Sequence, residues 1–167
     1  MRVLITGCSG FIGMHLLKTL SNLSYTLMGA DVKQPGSDWV RPKHIGEDLQ
    51  IGSRADLYFR YCDILERSKL REVLLEFAPQ AVIHLAARTD LDETARLHGY
   101  AANTVGVENL IHAVSASSSV DRCIYTSSQL VCKPGYIPKE DEDYRPHTLY
   151  GESKVMGEKL VRELDGG

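Results

Sequence analysis

Several absences narrow the field before any motif is read. The four cysteines, Cys8, Cys62, Cys123 and Cys132, form no C-x-x-C pair and no other zinc-binding spacing, so no metal site is expected. Cys8 falls in a glycine-rich loop, and Cys62 and Cys123 lie in or beside apparent strands. They read as reduced, mostly buried thiols of a cytoplasmic protein. No apolar run is long enough to span a bilayer, and no basic-apolar leader precedes the first strand. An excess of positive charge is also missing. With 19 Lys and Arg against 22 Asp and Glu, the net charge is −3 and the pI about 6.1. Neither nucleic acid nor an anionic membrane is an expected partner. There is no internal repeat and no low-complexity tract. What is left, 43% hydrophobic and 25% charged over 167 residues, is an ordinary globular composition of one-domain length.

Met1 to Gly13, MRVLITGCSGFIG, organises the rest. Arg2-Val3-Leu4-Ile5 is a short β-branched, apolar run suited to a strand buried on both faces. Phe11 to Leu17 then carries apolar residues at helical spacing. Between them stand Gly7, Gly10 and Gly13, in the order G-x-x-G-x-x-G. Three glycines alone could be a bare turn, but strand, glycine turn and helix together make a phosphate cradle. The first glycine turns tightly, the second admits a pyrophosphate close to the backbone, and the third lets helix pack on strand. The helix starting near Gly10 points its free N–H groups and positive dipole end at the phosphates.

Tyr25 to Asp31 reads as a second strand ending in an acid. Asp31 lies 18 residues after Gly13, close to where a carboxylate accepts hydrogen bonds from an adenosine ribose. A carboxylate there repels a 2′-phosphate, which favours NAD over NADP, and Lys33 could soften the preference. Lys33 to Arg54, with Pro35, Gly36, Pro42, Gly46 and Gly52, reads as a loop with room for a short helical turn. Leu57 to Tyr61 alternates as a third strand. A helix follows over Arg67–Phe77, with Leu70, Val73, Leu74 and Phe77 on one face, Ser68 or a neighbour as cap, and Pro79 beyond its end. Ala81 to Ala87 is the most apolar run and the expected central strand, with His84 as a satisfied core histidine. A long helix is expected over Tyr100–Ser115, and a fifth strand over Val120–Thr126. Strands and helices alternating in this rhythm predict a doubly wound parallel sheet covered on both faces, with its ligand crevice beyond the strands' carboxyl ends.

Ser127 and Ser128 fall at that end of the fifth strand. Further on, Tyr150-Gly151-Glu152-Ser153-Lys154 puts a tyrosine and a lysine one helical turn apart on one face. Hydride chemistry on an alcohol needs a group that exchanges the hydroxyl proton. A phenol of pKa about 10 is a poor base at neutral pH. A neighbouring ammonium and a cationic nicotinamide ring would favour the phenolate, while a serine hydroxyl orients the substrate oxygen. Taken alone, a Tyr-x-x-x-Lys pair is common on solvated helices.

In its order of motifs the chain resembles the extended short-chain dehydrogenases/reductases, the NAD-dependent epimerase/dehydratase group acting on nucleotide sugars. The matching pieces are Thr6 to Gly13, Asp31, Asp63-Ile64, His84-Leu85-Ala86-Ala87, Asn103 to Gly106, Tyr125 to Ser128 and Tyr150 to Lys154, which together span nearly the whole chain. The resemblance implies a Rossmann α/β fold in three αβα layers over residues 1–167, with the family's C-terminal substrate-binding part absent. It implies cofactor contacts from Gly7, Ser9, Gly10, Phe11, Ile12, Gly13, Asp31, Leu85, Ala86, Ala87, Asn103 and Ser127, and from Asp63 and Ile64 at the adenine. Ser128, Tyr150 and Lys154 would be catalytic, Tyr150 and Lys154 also touching the cofactor and Lys154 binding the nicotinamide ribose. A homodimer through the Tyr100–Ser115 and Leu149–Leu164 helices is implied as well.

Departures from the family pattern sharpen the expectation. Cys132 and Lys133 replace a usual Tyr-Gly, and Val107 a common threonine, changes of local packing. Gln129-Leu130 stand where sugar dehydratases carry Asp-Glu. Leucine cannot transfer a proton, so 4,6-dehydration is disfavoured. The expected function is an NAD-dependent nucleotide-sugar epimerase that oxidises a hydroxyl transiently. The alternatives are a sugar or carbonyl reductase, dehydrogenase or decarboxylase of the same family, or a non-catalytic NAD-binding module. Relatives continue past this last helix, so uncovered apolar surface near it predicts a weakly stable or self-associating chain.

Overall fold

The apolar run that opens the chain becomes the middle strand of the parallel sheet. In a computed structural model, which describes residues 1–35, 42–45, 48–51, 57–93 and 95–165 (backbone alone at 42–45, 48–51 and 165), β1 (Arg2–Thr6) lies between two neighbours. It pairs in parallel with β2 (Thr26–Asp31) on one side and β6 (Ala81–His84) on the other. Beyond these, β5 (Leu57–Tyr61) pairs with β2 and β7 (Arg122–Tyr125) with β6, both in parallel. The chain therefore builds outward from β1 through β2 to β5, then crosses back to β6 and β7. That reversal leaves a crevice above the carboxyl ends of β1 and β6.

Alternation along β1 explains the layers. Leu4 buries against α2 (Arg67–Phe77) and α3 (Val105–Ser115) through Leu70, Val73, Leu74, Leu110 and Ala113. Val3 and Ile5 face the other way, onto Leu17 of α1 (Phe11–Leu20) with Leu27, Leu57 and Phe59. Each fully buried side chain of this kind contributes about 2 kcal/mol, so both faces stabilise the same register. The last helix, α4 (Leu149–Asp165), packs on α3 and on two 3-10 segments, Leu97–Asn103 and Gln129–Val131.

Several expectations are corrected. Within the stretch read as loop, β3 (Pro42–Ile45) and β4 (Asp48–Ile51) form an antiparallel hairpin on the outer edge of β5, giving the order β3-β4-β5-β2-β1-β6-β7. Pairing with an open edge satisfies backbone groups whatever the side-chain pattern, and Pro42 starts the outermost strand, where its missing N–H is tolerated. Residues 36–41, 46–47 and 52–54 of that stretch lie outside the described residues. The expected central strand keeps regular pairing only to His84, and the middle place belongs to β1. The long helix divides at Thr104: Leu97–Asn103 is 3-10, kinked at Tyr100 (φ −102°, ψ 34°), and α3 starts at Val105. Tyr100 and Asn103, both fully buried, bond sideways to Asp90 O and to Arg88, which holds the segment off the α-helical ladder. Of the caps expected for α2, Ser68 or a neighbour, it is the neighbour Glu66 that stands at the N-cap, without a side-chain bond. Cys123 is exposed, not buried, because β7 is an edge strand whose next residue, Ile124, is 47% exposed. Among the described residues no helix is long and apolar enough to cross a membrane.

Candidate active site

Thr6 and Gly7 tie the three inner strands together where they end. Gly7 N donates to Ala30 O (2.8 Å), Leu85 N to Thr6 O (3.1 Å), and Thr6 Oγ1 bonds His84 Nδ1 (2.7 Å) in a fully buried pair. Gly7 has φ +70°, and a side chain there would run into Leu85 C at 2.6 Å, so only glycine fits. Gly13 lets α1 lie on the loop, since a Cβ there would meet Cys8 Cα at 2.7 Å. Gly10 differs from both. It is the N-cap of α1 (φ −74°, ψ 169°), and a Cβ would touch nothing nearer than Gly7 O at 3.4 Å. Gly10 lines a cavity of about 740 Å³.

That cavity gathers residues from the carboxyl ends of all five parallel strands. Of the residues named from sequence it brings together Gly7, Ser9, Gly10, Phe11, Ile12, Gly13, Asp31, Asp63, Ile64, Leu85, Ala86, Ala87, Ser127, Tyr150 and Lys154. Asp31 also shapes the loop: Oδ2 accepts from Ser9 N (2.9 Å) and Oδ1 from Lys33 N (3.1 Å). Asp63 Oδ1 accepts from Leu65 N (2.9 Å). Two named residues are not on the wall. Asn103 is fully buried, its amide spent on Arg88 N, Arg88 O and Ser153 Oγ, so it holds the segment after β6 from behind. Ser128 caps the 3-10 turn Gln129–Val131, its Oγ accepting from Leu130 N (3.2 Å).

Sequence reasoning passed over Arg88 and Thr89, which also line the cavity. Arg88 is clamped by both oxygens of Asp90 (2.9 Å each) and lies over the Tyr100 ring at 5.0 Å. An arginine directly after an apolar strand's carboxyl end was the available signal. Asn109, a polar residue inside the apolar stripe of α3, was another. Its amide donates to Ile64 O (3.0 Å) and Leu65 O (3.1 Å), fixing the turn that carries Asp63.

The Tyr-Lys helix closes the far end. Tyr150 is 8% exposed and meets the Tyr100 ring edge-on, centroids 5.9 Å apart. Ser153 Oγ donates to Tyr150 O and accepts from Asn103. Lys154, 4% exposed, donates from Nζ to Thr126 O (3.0 Å) beside the Tyr125 ring, and burial lowers its pKa to about 8. Gly151 has no side chain because Leu130 O occupies that space, which seats the turn capped by Ser128 against α4. Glu158, one turn after Lys154, accepts from Ser127 Oγ and from Tyr144 OH (2.7 Å).

His84 is half of what was expected. It is buried and bonded at Nδ1, but Nε2 has no partner among the described residues, and burial followed by the Lys154 charge lowers its pKa to about 3. Burial raises the Cys8 thiol to about 12 and Cys62 to about 11, so both are inert at neutral pH. No group of three metal-ligating side chains exists among the described residues.

A family profile described as "NAD dependent epimerase/dehydratase family" matches residues 3–166. The chain is 28% identical to a UDP-glucose 4-epimerase of Drosophila melanogaster, over 97% of this chain and 48% of that protein. It is 29% identical to a 3 beta-hydroxysteroid dehydrogenase/Delta 5-->4-isomerase of Mycobacterium tuberculosis, over 99% and 43%. Among solved structures it superimposes, with TM-score 0.76 and 26% identity, on UDP-glucose 4-epimerase from Brucella ovis in complex with NAD, over 99% of this chain and 48% of that one. The chain thus spans about half the length of the relatives it matches.

Proposed function

The chain belongs to the NAD-dependent epimerase/dehydratase family, and from that premise we propose that residues 1–167 form its NAD-binding domain, serving a nucleotide-sugar epimerase. One observation carries the reading: a single cavity joins a glycine cradle with open space over Gly10 to a wall bearing Tyr150 and Lys154. The residues fit the group. The backbone around Gly10 and the N-terminus of α1 suit a pyrophosphate, Asp31 a ribose diol, and Asp63 with Ile64 an adenine. A 2′-phosphate would meet the Asp31 carboxylate, so NAD is favoured over NADP. When bound, NAD supplies a ring that takes up and returns a hydride.

The chain's own residues handle the proton and the oxygen. Tyr150 takes the proton of the sugar hydroxyl and gives it back after the ketone is re-reduced. Lys154 holds its ammonium beside the same wall through Thr126 O, where it can bond a ribose hydroxyl and favour the phenolate. Ser128 lies off the cavity wall at the head of its turn, and its part in orienting the substrate oxygen rests on the family's motif order. Gln129 and Leu130 offer no acid-base pair for eliminating water. A dehydrogenase or reductase of a sugar or other carbonyl compound is the second reading, favoured by the likeness to the hydroxysteroid dehydrogenase.

Titrating the chain with NADH and following the fluorescence tests the cavity, and loss of the signal at Gly10→Ala locates it. Incubation with UDP-glucose and NAD+ separates the chemistries. An epimerase converts the sugar with no net NADH, a dehydrogenase accumulates NADH with product, and Tyr150→Phe stops either. Wild-type turnover in Tyr150→Phe would refute the proton path. Pairing of two copies through α3 and α4 is supported by exposed Val105, Met156 and Leu164, and light scattering that shows only monomer refutes it.

A further inference from the structure

Glu158 has no part in the chemistry above, yet it touches the cavity wall. Its carboxylate receives two hydroxyl groups, Ser127 Oγ on one oxygen and Tyr144 OH on the other. A carboxylate only accepts hydrogen bonds, so each hydroxyl must turn its one proton toward Glu158. Tyr144 stays a donor, since burial and then the neighbouring carboxylate raise its pKa. Ser127 is the one of these groups that lines the cavity, together with Thr126 and Lys154. With its proton committed to Glu158, Ser127 can present only lone pairs to whatever lies there. Ser128 is the opposite case. Its oxygen already accepts from Leu130 N, and its proton has no acceptor among the described residues.

We propose that Glu158 is a positioning residue that fixes Ser127 as a hydrogen-bond acceptor toward the cavity, so that the coenzyme group it meets carries an O–H or N–H donor. This deepens the reading of the cavity as a dinucleotide site and rests on it. Two adjacent serines then play unlike parts, one accepting from the coenzyme and one free to donate. Chemically, the site favours a hydroxyl or a primary amide at this point over a carboxylate or a ketone.

Two measurements test it on the whole 167-residue chain. In proton NMR, a hydroxyl bonded to a carboxylate gives a downfield, slowly exchanging resonance. We expect one that disappears in both Ser127→Ala and Glu158→Gln and persists in Tyr144→Phe, and its absence from the wild type overturns the proposal. In NADH titrations, Ser127→Ala and Glu158→Gln should each weaken binding about tenfold, the scale of one neutral hydrogen bond. The double variant should be no weaker than Ser127→Ala alone, because Glu158 acts through Ser127. Wild-type affinity in Glu158→Gln, or losses that multiply in the double variant, overturns it. If Glu158→Gln does not fold, the wild-type and Ser127→Ala spectra still decide. A wild-type chain that binds no NADH sinks the dinucleotide reading, while the resonance separately judges how Ser127 is oriented.

Discussion

Gly10 and Gly13 stand three residues apart in one motif, yet their surroundings predict opposite failures when each becomes alanine. At Gly13 a Cβ would sit 2.7 Å from Cys8 Cα and 2.9 Å from Cys8 C, both backbone atoms of the loop itself. Ordinary contact begins near 3.4 Å, so α1 or the loop must retreat by more than half an ångström. Overpacking of this kind costs about 1–3 kcal/mol, against a gain of about 1 kcal/mol in helix propensity. Three backbone atoms closer than 3.0 Å put the cost at the upper end of that range, so Gly13→Ala should lose about 1–2 kcal/mol in urea unfolding, and weaken NADH binding as the loop shifts. At Gly10 the backbone is one any residue adopts, and the nearest atom to a Cβ is 3.4 Å away. Gly10→Ala should be neutral or up to about 1 kcal/mol more stable, because it restricts the unfolded chain. Its methyl group stands in the space assigned to the pyrophosphate, so NADH affinity should fall at least tenfold. Urea titration and fluorescence binding on both variants complete the test. A Gly10→Ala chain that binds NADH as the wild type does, or a Gly13→Ala chain of unchanged stability, refutes the assignment.

His84 makes acid destabilising. Its folded pKa of about 3 lies below the ordinary 6.5, so the unfolded chain takes up the proton first, and stability falls as pH drops from 6.5 toward 3. At about 1.4 kcal/mol per pH unit the full effect approaches about 5 kcal/mol, and His84→Leu should flatten this slope; equal slopes would show that His84 is not the group responsible. Lys154, lowered to about 8, acts at the other end, and its contribution to stability rises as pH climbs from 8 to 10.5. Lys154→Met should be about 1–2 kcal/mol more stable at pH 7, losing one hydrogen bond but no longer burying a charge, and should bind NADH poorly; a less stable variant contradicts the cost assigned to that ammonium. Asp31→Asn keeps an acceptor for Ser9 N but removes the negative charge, so the ratio of NADP to NAD affinity should rise about tenfold, and an unchanged ratio in competition titrations counts against Asp31 at the ribose.

Local chemistry makes much of this legible in the sequence. Val3 to Ile5, the three spaced glycines and the acid ending β2 carry their meaning in short range, because a phosphate cradle is built from one strand, one turn and one helix. The Arg67–Phe77 helix follows likewise from its own apolar period. The hairpin of β3 and β4 was not legible, since pairing with the edge of β5 leaves no mark in two four-residue segments. Nor was the break at Thr104, which depends on partners of Tyr100 and Asn103 that lie 10 and 15 residues upstream. Tertiary structure alone decided where the Ser127 hydroxyl points: Ser127 and Ser128 are identical neighbours in the chain, and while Ser128 takes a local bond from the amide of Leu130, two residues on, Ser127 meets Glu158, 31 residues away. Spacing and composition specify what one element can do by itself. The direction of a proton depends on what a second element brings against it, and that is set only when the chain is folded.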